Sequence, residues 1–220
     1  MTAAPIRIDV VSDVVCPWCT IGLAGLELAL AAAADAVTAE IRFHPFELNP
    51  DMPPEGEAVG DHVARKYGVS PDQAKAAGGR IRAAAAEVGL DLSGRSDRLY
   101  NSFDAHRLLH WAEGHGRQVA LKKALLAAYF TRAADITDPT VLVAAAREAG
   151  LDPDEAAAII AGDRYADDVR RAEAHWRDEG VMSVPTFILN GRFVVQGAQS
   201  PDRLEKALRR LAESKAAAEA

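Results

Sequence analysis

Strand-like periodicity in this 220-residue chain is confined to its two ends. "IRIDVVS" places Ile6, Ile8 and Val10 at alternate positions, the period of a strand, and continues through "DVV". "EIRFHPFEL" reads as a second strand, stopped by the proline-rich "NPDMPPEGE". Between them Pro17 opens a helix carrying Leu23, Leu26 and Leu30 at helical spacing, and proline costs nothing at a first helical position. Strand character returns only in "VPTFIL" and "RFVVQG". Asn190–Gly191 joins them, the dipeptide of a type I′ hairpin turn, and Ser200–Pro201 then opens a last helix. From about Gly56 to Gly180 the periods are helical. Ser70, Asp138 and Asp152 each stand as a capping side chain before a proline, and Gly68, Gly89, Gly116 and Gly150 end helices. "RQVALKKALLAAYFT" and "YADDVRRAEAHWRDEG" each have one apolar face. The expected fold class is therefore α/β. A βαβ unit and a ββα unit, residues 1–55 and 181–220, form one discontinuous domain, interrupted by an all-helical insertion over 56–180.

Composition narrows the function. Apolar residues at 49% allow a full-sized core, and a net charge of −7 argues against a nucleic-acid partner. The first residues carry no basic, apolar leader, and the apolar run "LAGLELALAAAA" is too short to cross a bilayer. The expectation is a cytoplasmic protein without membrane contact, where thiols are kept reduced.

The two cysteines of the chain, in "SDVVCPWCTIG", fall where the first strand pattern gives way to the first helix. Three readings compete. A structural disulfide closing a two-residue loop would constrain little of the unfolded chain. A zinc site needs four ligands, so His106 and His110, one helical turn apart, would have to complete Cys16 and Cys19 across a long interval. The redox reading accounts for each position. Cys16 stands at the helix start, where unpaired N–H groups and the helix dipole favour a thiolate. Cys19 lies one turn further in, placed to close a disulfide and release a captured partner. A cysteine pair of this spacing beside a strand–helix–strand pattern is the context of a redox dithiol. On that reading no metal is held and the dithiol itself is the cofactor. Val184–Pro185, at the entry of the returning strands, is either a cis bond or the plain start of an edge strand.

"CPWC", "VPTF" and the helices between them resemble the DsbA-like thiol–disulfide oxidoreductases, and the cytoplasmic FrnE-type branch in particular. "FHPFELNPDMPPEGE", "YNSFDAHRLLHWAEGHG", "LLAAYFTRAADITDP" and "VPTFILNGRFVVQGAQSPDRL" share the likeness, which runs from about Ile6 to Leu211. The resemblance implies a thioredoxin-like fold interrupted by a helical domain. It implies a cis Pro185 facing the cysteines, with the Val184 backbone pairing with an extended substrate. It also implies that "FDAHR", with Phe103 and His106, lies over the active site, His106 either as a packing residue or as an acid–base group. Trp18 either contacts substrate or packs against the insertion. The dipeptide Pro17–Trp18 lacks the histidine of the strongly oxidising relatives, which points to a reductase or isomerase. Its substrate would be a disulfide in a protein or small molecule. Glutathione or another small thiol would recycle the enzyme, acting as a monomer or homodimer.

Two rivals stand beside this reading. Glutathione-using transferases of the kappa type and 2-hydroxychromene-2-carboxylate isomerases share the interrupted architecture. "QSPDRL" resembles their cofactor-holding helix start, with Ser200 and Asp202 either near a thiol cofactor's carboxylate or serving as an ordinary cap. The second rival is a non-catalytic peptide-binding module or holdase.

Overall fold

The computed structural model describes residues 5–53 and 55–218. Four strands form the main sheet, β1 (Ile6–Ser12), β2 (Ala39–Pro45), β5 (Thr186–Leu189) and β6 (Phe193–Gln196), in the order β2-β1-β5-β6. β1 runs parallel to β2 and antiparallel to β5, and β5 pairs antiparallel with β6. Ile6, Ile8 and the run from Asp9 to Ser12 are all buried, as a central strand covered on both faces requires. Helix α1 (Pro17–Ala32) joins β1 to β2 and lies beside the last helix, α9 (Pro201–Ala218).

Among the described residues seven helices fill the interval between β2 and β5: α2 (Val59–Tyr67), α3 (Pro71–Glu87), α4 (Phe103–Gly114), α5 (Gln118–Phe130), α6 (Pro139–Glu148), α7 (Pro153–Ala161) and α8 (Ala166–Asp178). Their starts follow the sequence signals. Ser70 and Gln73 form a reciprocal capping box on α3, and the Asp138 and Asp152 carboxylates accept from the first-turn N–H groups of α6 and α7. The interval is not wholly helical. β3 (Glu57–Ala58) and β4 (Arg98–Leu99) pair as a short antiparallel ribbon that no periodicity announces, because two residues are too few to show one.

Two further differences have local causes. β2 ends at Pro45 rather than running to Leu48, and the chain turns so that the Leu48 N–H reaches the Asp13 carboxylate at 2.8 Å. In the final hairpin Asn190 and Gly191 both take positive φ, as a type I′ turn demands. Yet Leu189 pairs with Phe193, so Arg192 is an extra residue bulged out of the ladder.

One apolar core spans sheet and helices. It runs without interruption from Ile8, Leu26 and Phe187 to Leu108, Leu125 and Leu142. The insertion is fastened to the sheet edge by Gln118, whose side-chain amide accepts from the Phe43 N–H at 2.8 Å and donates to the Phe43 C=O at 2.9 Å. Both backbone groups are buried and would be left unpaired without it. Gln118→Ala is therefore expected to lower unfolding stability by about 2–4 kcal/mol in urea titration, with the helical content of the folded state unchanged.

Candidate active site

Asp13 begins the short link from β1 to α1, and its side chain is fully buried. One carboxylate oxygen accepts from the Val15 N–H at 3.3 Å and the other from the Leu48 N–H. His106 Nε2, reaching in from the first turn of α4, lies 3.4 Å from Oδ1. Burial alone would raise the Asp13 carboxyl, but His106, the Leu48 N–H and Ser102 together outweigh it and hold the group below its usual range.

This anchored link presents Cys16 as the residue that caps α1. Its C=O accepts from the Cys19 N–H at 3.0 Å, and Pro17, next in line, has no N–H to leave unpaired. The Cys16 thiol donates to the Val184 C=O at 3.8 Å. The Val184–Pro185 peptide is cis. Gly22, on the following turns of α1, permits the approach: a methyl group there would lie 2.9 Å from Pro185 Cγ and 3.1 Å from the Phe187 ring. Strand entry and helix start thus meet at the first sulfur. Both cysteines are unbonded thiols.

Cys19 lies one turn deeper. Burial, reinforced by the neighbouring Cys16, pushes its thiol well above the ordinary range, with Lys122 and the Asp13 backbone opposing. Val11, Phe46, Val181, Val184 and Ile188 form one buried apolar cluster with the two cysteines. At the rim Trp18 is 38% exposed and Met182 80%, leaving an apolar collar beside a sulfur that is itself covered.

The other residues marked from sequence fall in different places. His106 is brought to the link beneath the cysteines and is sealed from solvent. Phe103 is half-buried, with the Arg170 guanidinium 3.8 Å above its ring. Ser200 and Asp202 stand at the start of α9, which meets α1 at Gly25, nine residues beyond Cys16 or roughly 13 Å along the helix. They share a surface hollow with Arg203, Lys206 and Arg210. Among the described residues no group of three or more His, Cys, Asp or Glu side chains is placed to hold a metal, and no helix is long and apolar enough to cross a membrane.

Sequence reasoning missed Asp13, Lys122 and the buried pair Glu47–Glu173. Signals were present. Asp13 interrupts a run of buried valines, and Lys122 falls on the same helical face as Leu125 and Tyr129. Glu47 gives no such sign, because its partner lies far along the chain on α8. The Glu47 N–H donates to Glu173 Oε1 at 3.0 Å, and Arg170 bonds to both carboxylates.

A family model described as the DSBA-like thioredoxin domain matches residues 7–209. The chain belongs to that family. Among its relatives is the uncharacterized protein YwbO of Bacillus subtilis, 29% identical over 206 residues, which are 92% of this chain and 96% of the relative. The probable DsbA oxidoreductase SCO1869 of Streptomyces coelicolor superposes with a TM-score of 0.86 at 36% identity, covering 95% of this chain and 90% of that one. Two more distant structures share the fold of this DSBA-like protein. They are a 2-hydroxychromene-2-carboxylate isomerase (TM-score 0.69, 17% identity, 96% and 98% covered) and the cytosolic disulfide reductase DsbM of Pseudomonas aeruginosa with glutathione (0.61, 20%, 95% and 98%).

Glu47 makes a testable contribution to pH dependence. Burial, with the Glu173 charge adding to it and Arg170 offsetting part, pushes its carboxyl up to about 7 from an ordinary 4.5. Between those values the folded chain holds a proton that the unfolded chain has released, so stability falls as pH rises from 4.5 through 7 and levels above. Glu47→Gln is expected to remove a slope on the order of 2 kcal/mol from urea unfolding measured across that window.

Proposed function

We propose that this DSBA-like protein is a cytoplasmic disulfide reductase or isomerase, with Cys16 as nucleophile and Cys19 as resolving thiol. The observation that carries the reading is the pairing of a Cys16 thiol on the Val184 carbonyl with a second thiol buried one turn behind it. The Cys16 thiolate attacks one sulfur of a substrate disulfide. The S–S bond breaks, its electron pair leaves on the other sulfur, and a mixed disulfide remains on Cys16. Cys19, having lost its proton to water, attacks Cys16 Sγ. The second substrate sulfur departs with its electron pair, and the Cys16–Cys19 disulfide is left oxidised. Glutathione or another small thiol then returns the pair to the dithiol.

In this reading an extended segment bearing the substrate disulfide lies along Val184 and Pro185, with Trp18 as its apolar floor. The helical insertion, residues 56–180, walls the site through Phe103 and sets Asp13 through His106, which acts by position rather than by touching substrate. The likeness to SCO1869 over nearly the whole chain supports the dithiol chemistry. The thiol-transferase reading draws on the helix start at Ser200 and Asp202, but α9 meets α1 at Gly25, roughly 13 Å along the helix from Cys16, beyond the about 11 Å that three extended residues span.

Cys19→Ser separates them. The dithiol reading expects this variant to accumulate covalent adducts on Cys16 that release on reduction and to stop turning over a disulfide substrate. Cys16→Ser should capture nothing. Full conjugation of small electrophiles by Cys19→Ser, with no disulfide exchange by the unaltered protein, would replace the oxidoreductase with a transferase. Client binding that survives alkylation of both thiols would favour a holdase.

A further inference from the structure

A cavity of about 130 Å³ lies between the edge strand β2 and the insertion helices α4, α5 and α8. Neither Cys16 nor Cys19 lines it, so it is distinct from the dithiol site. Its lining is of two kinds. Phe43, Pro45, Leu109 and Ala172 are apolar, and Lys122, on α5, brings an ammonium. Lys122 is 1% exposed, yet among the described residues its Nζ has no hydrogen-bond partner. That Nζ lies 5.4 Å from the centre of the Phe43 ring, so cation and apolar wall meet at one place. Gln118, one turn earlier on α5, bonds to both backbone groups of Phe43 and fixes the helix against this stretch of β2.

A buried ammonium calls for an opposite charge, because removing its hydration is costly. The other ionisable groups nearby do not supply it. Asp13 already has both carboxylate oxygens engaged by N–H groups, with His106 beside it. Glu113, the one carboxylate among the described lining residues, is exposed, where water screens its charge. The three lining histidines carry no negative charge. His44 bonds to Asp9 at 2.9 Å, His106 stands 3.4 Å from Asp13, and His110 tilts against Tyr165. Size narrows the occupant further. Water fills about 30 Å³ in the liquid, so the cavity has room for a ligand of about four or five non-hydrogen atoms.

We propose that this cavity binds a short-chain carboxylate, its anionic end paired with the Lys122 ammonium and its alkyl stem lying against Phe43, Pro45 and Leu109. One such molecule answers both kinds of lining. The carboxylate supplies the missing countercharge where little water screens the pair, and the stem buries its apolar area against the walls. A phosphate would instead press charged oxygens against Leu109 and Pro45, with no donors there to meet them. Because the lining comes from β2 as well as from three helices of the insertion, the occupant bridges sheet and insertion. Binding then favours the folded chain. The site goes beyond the dithiol reading and does not depend on it.

Propionate is the probe, added to the full chain with sodium chloride holding ionic strength constant. At about ten times its dissociation constant it should lower the unfolding equilibrium constant in urea about tenfold. Propionamide, of the same shape without the charge, should leave that constant where it was. The Lys122 ¹³Cε resonance should move saturably over the same concentrations, and the propionate methyl should give nuclear Overhauser contacts to Leu109. These two signals come from the unaltered protein and stand even if Lys122→Met fails to fold. A folded Lys122→Met should lose the propionate effect. Lys123→Met, which removes the neighbouring half-exposed lysine paired with Glu27 at 2.6 Å, should keep it. Four results overturn the assignment: no saturable shift at Lys122, an effect that propionamide or chloride reproduces, an effect that survives in folded Lys122→Met, or tighter binding of inorganic phosphate than of propionate.

Discussion

The Asp13 carboxylate is the tie on which the site depends. Its two oxygens gather the N–H of Val15 from the link into α1, the N–H of Leu48 from the segment leaving β2, and the imidazole of His106 from α4. These are three pieces of chain far apart in sequence, and they meet immediately below the cysteines. A buried carboxylate is costly unless its lone pairs are filled. Filling them leaves the link little freedom, and so fixes where Cys16 emerges at the head of the helix. The core spanning sheet and insertion supplies the rigid surroundings that let one side chain have this effect.

Much of this was legible in the sequence because the informative signals are local. A strand period followed at once by Cys16, Pro17 and a helical period specifies a strand–helix junction with a sulfur at the helix mouth. Proline after Ser70, Asp138 and Asp152 marks helix starts by chemistry that acts over three residues. The meeting of Val184 with Cys16 is different: 168 residues separate them, and only resemblance to a family brought them together beforehand. The polar interior escaped for the same reason. Nothing near Glu47 announces Glu173, and Lys122 reads as one of two adjacent lysines, one of which happens to face inward. The bulged Arg192 and the early end of β2 were settled by tertiary register, to which local propensity is blind.

The insertion therefore does more than cover the sheet. Three of its helices bring polar side chains inward at the boundary: His106 from α4, Gln118 and Lys122 from α5, and Glu173 from α8. Each is buried, and two of them, His106 Nε2 and Lys122 Nζ, have no hydrogen-bond partner among the described residues. Apolar side chains of similar volume would hold the same interface at lower cost. Retaining ionisable groups there makes the interior responsive to protonation, a property the outer helices α6 and α7, packed through alanine, leucine and isoleucine, do not share.

The amide of Gln118 has one more consequence. By offering Phe43 a carbonyl and an N–H, it imitates the peptide of a neighbouring strand along the outer margin of β2, while Pro45 just beyond presents no donor. That flank of the sheet is closed to recruitment of another chain. The opposite flank ends in β6, where Phe193 and Val194 face solvent beside unmatched backbone groups. Lateral growth of this sheet has a single direction.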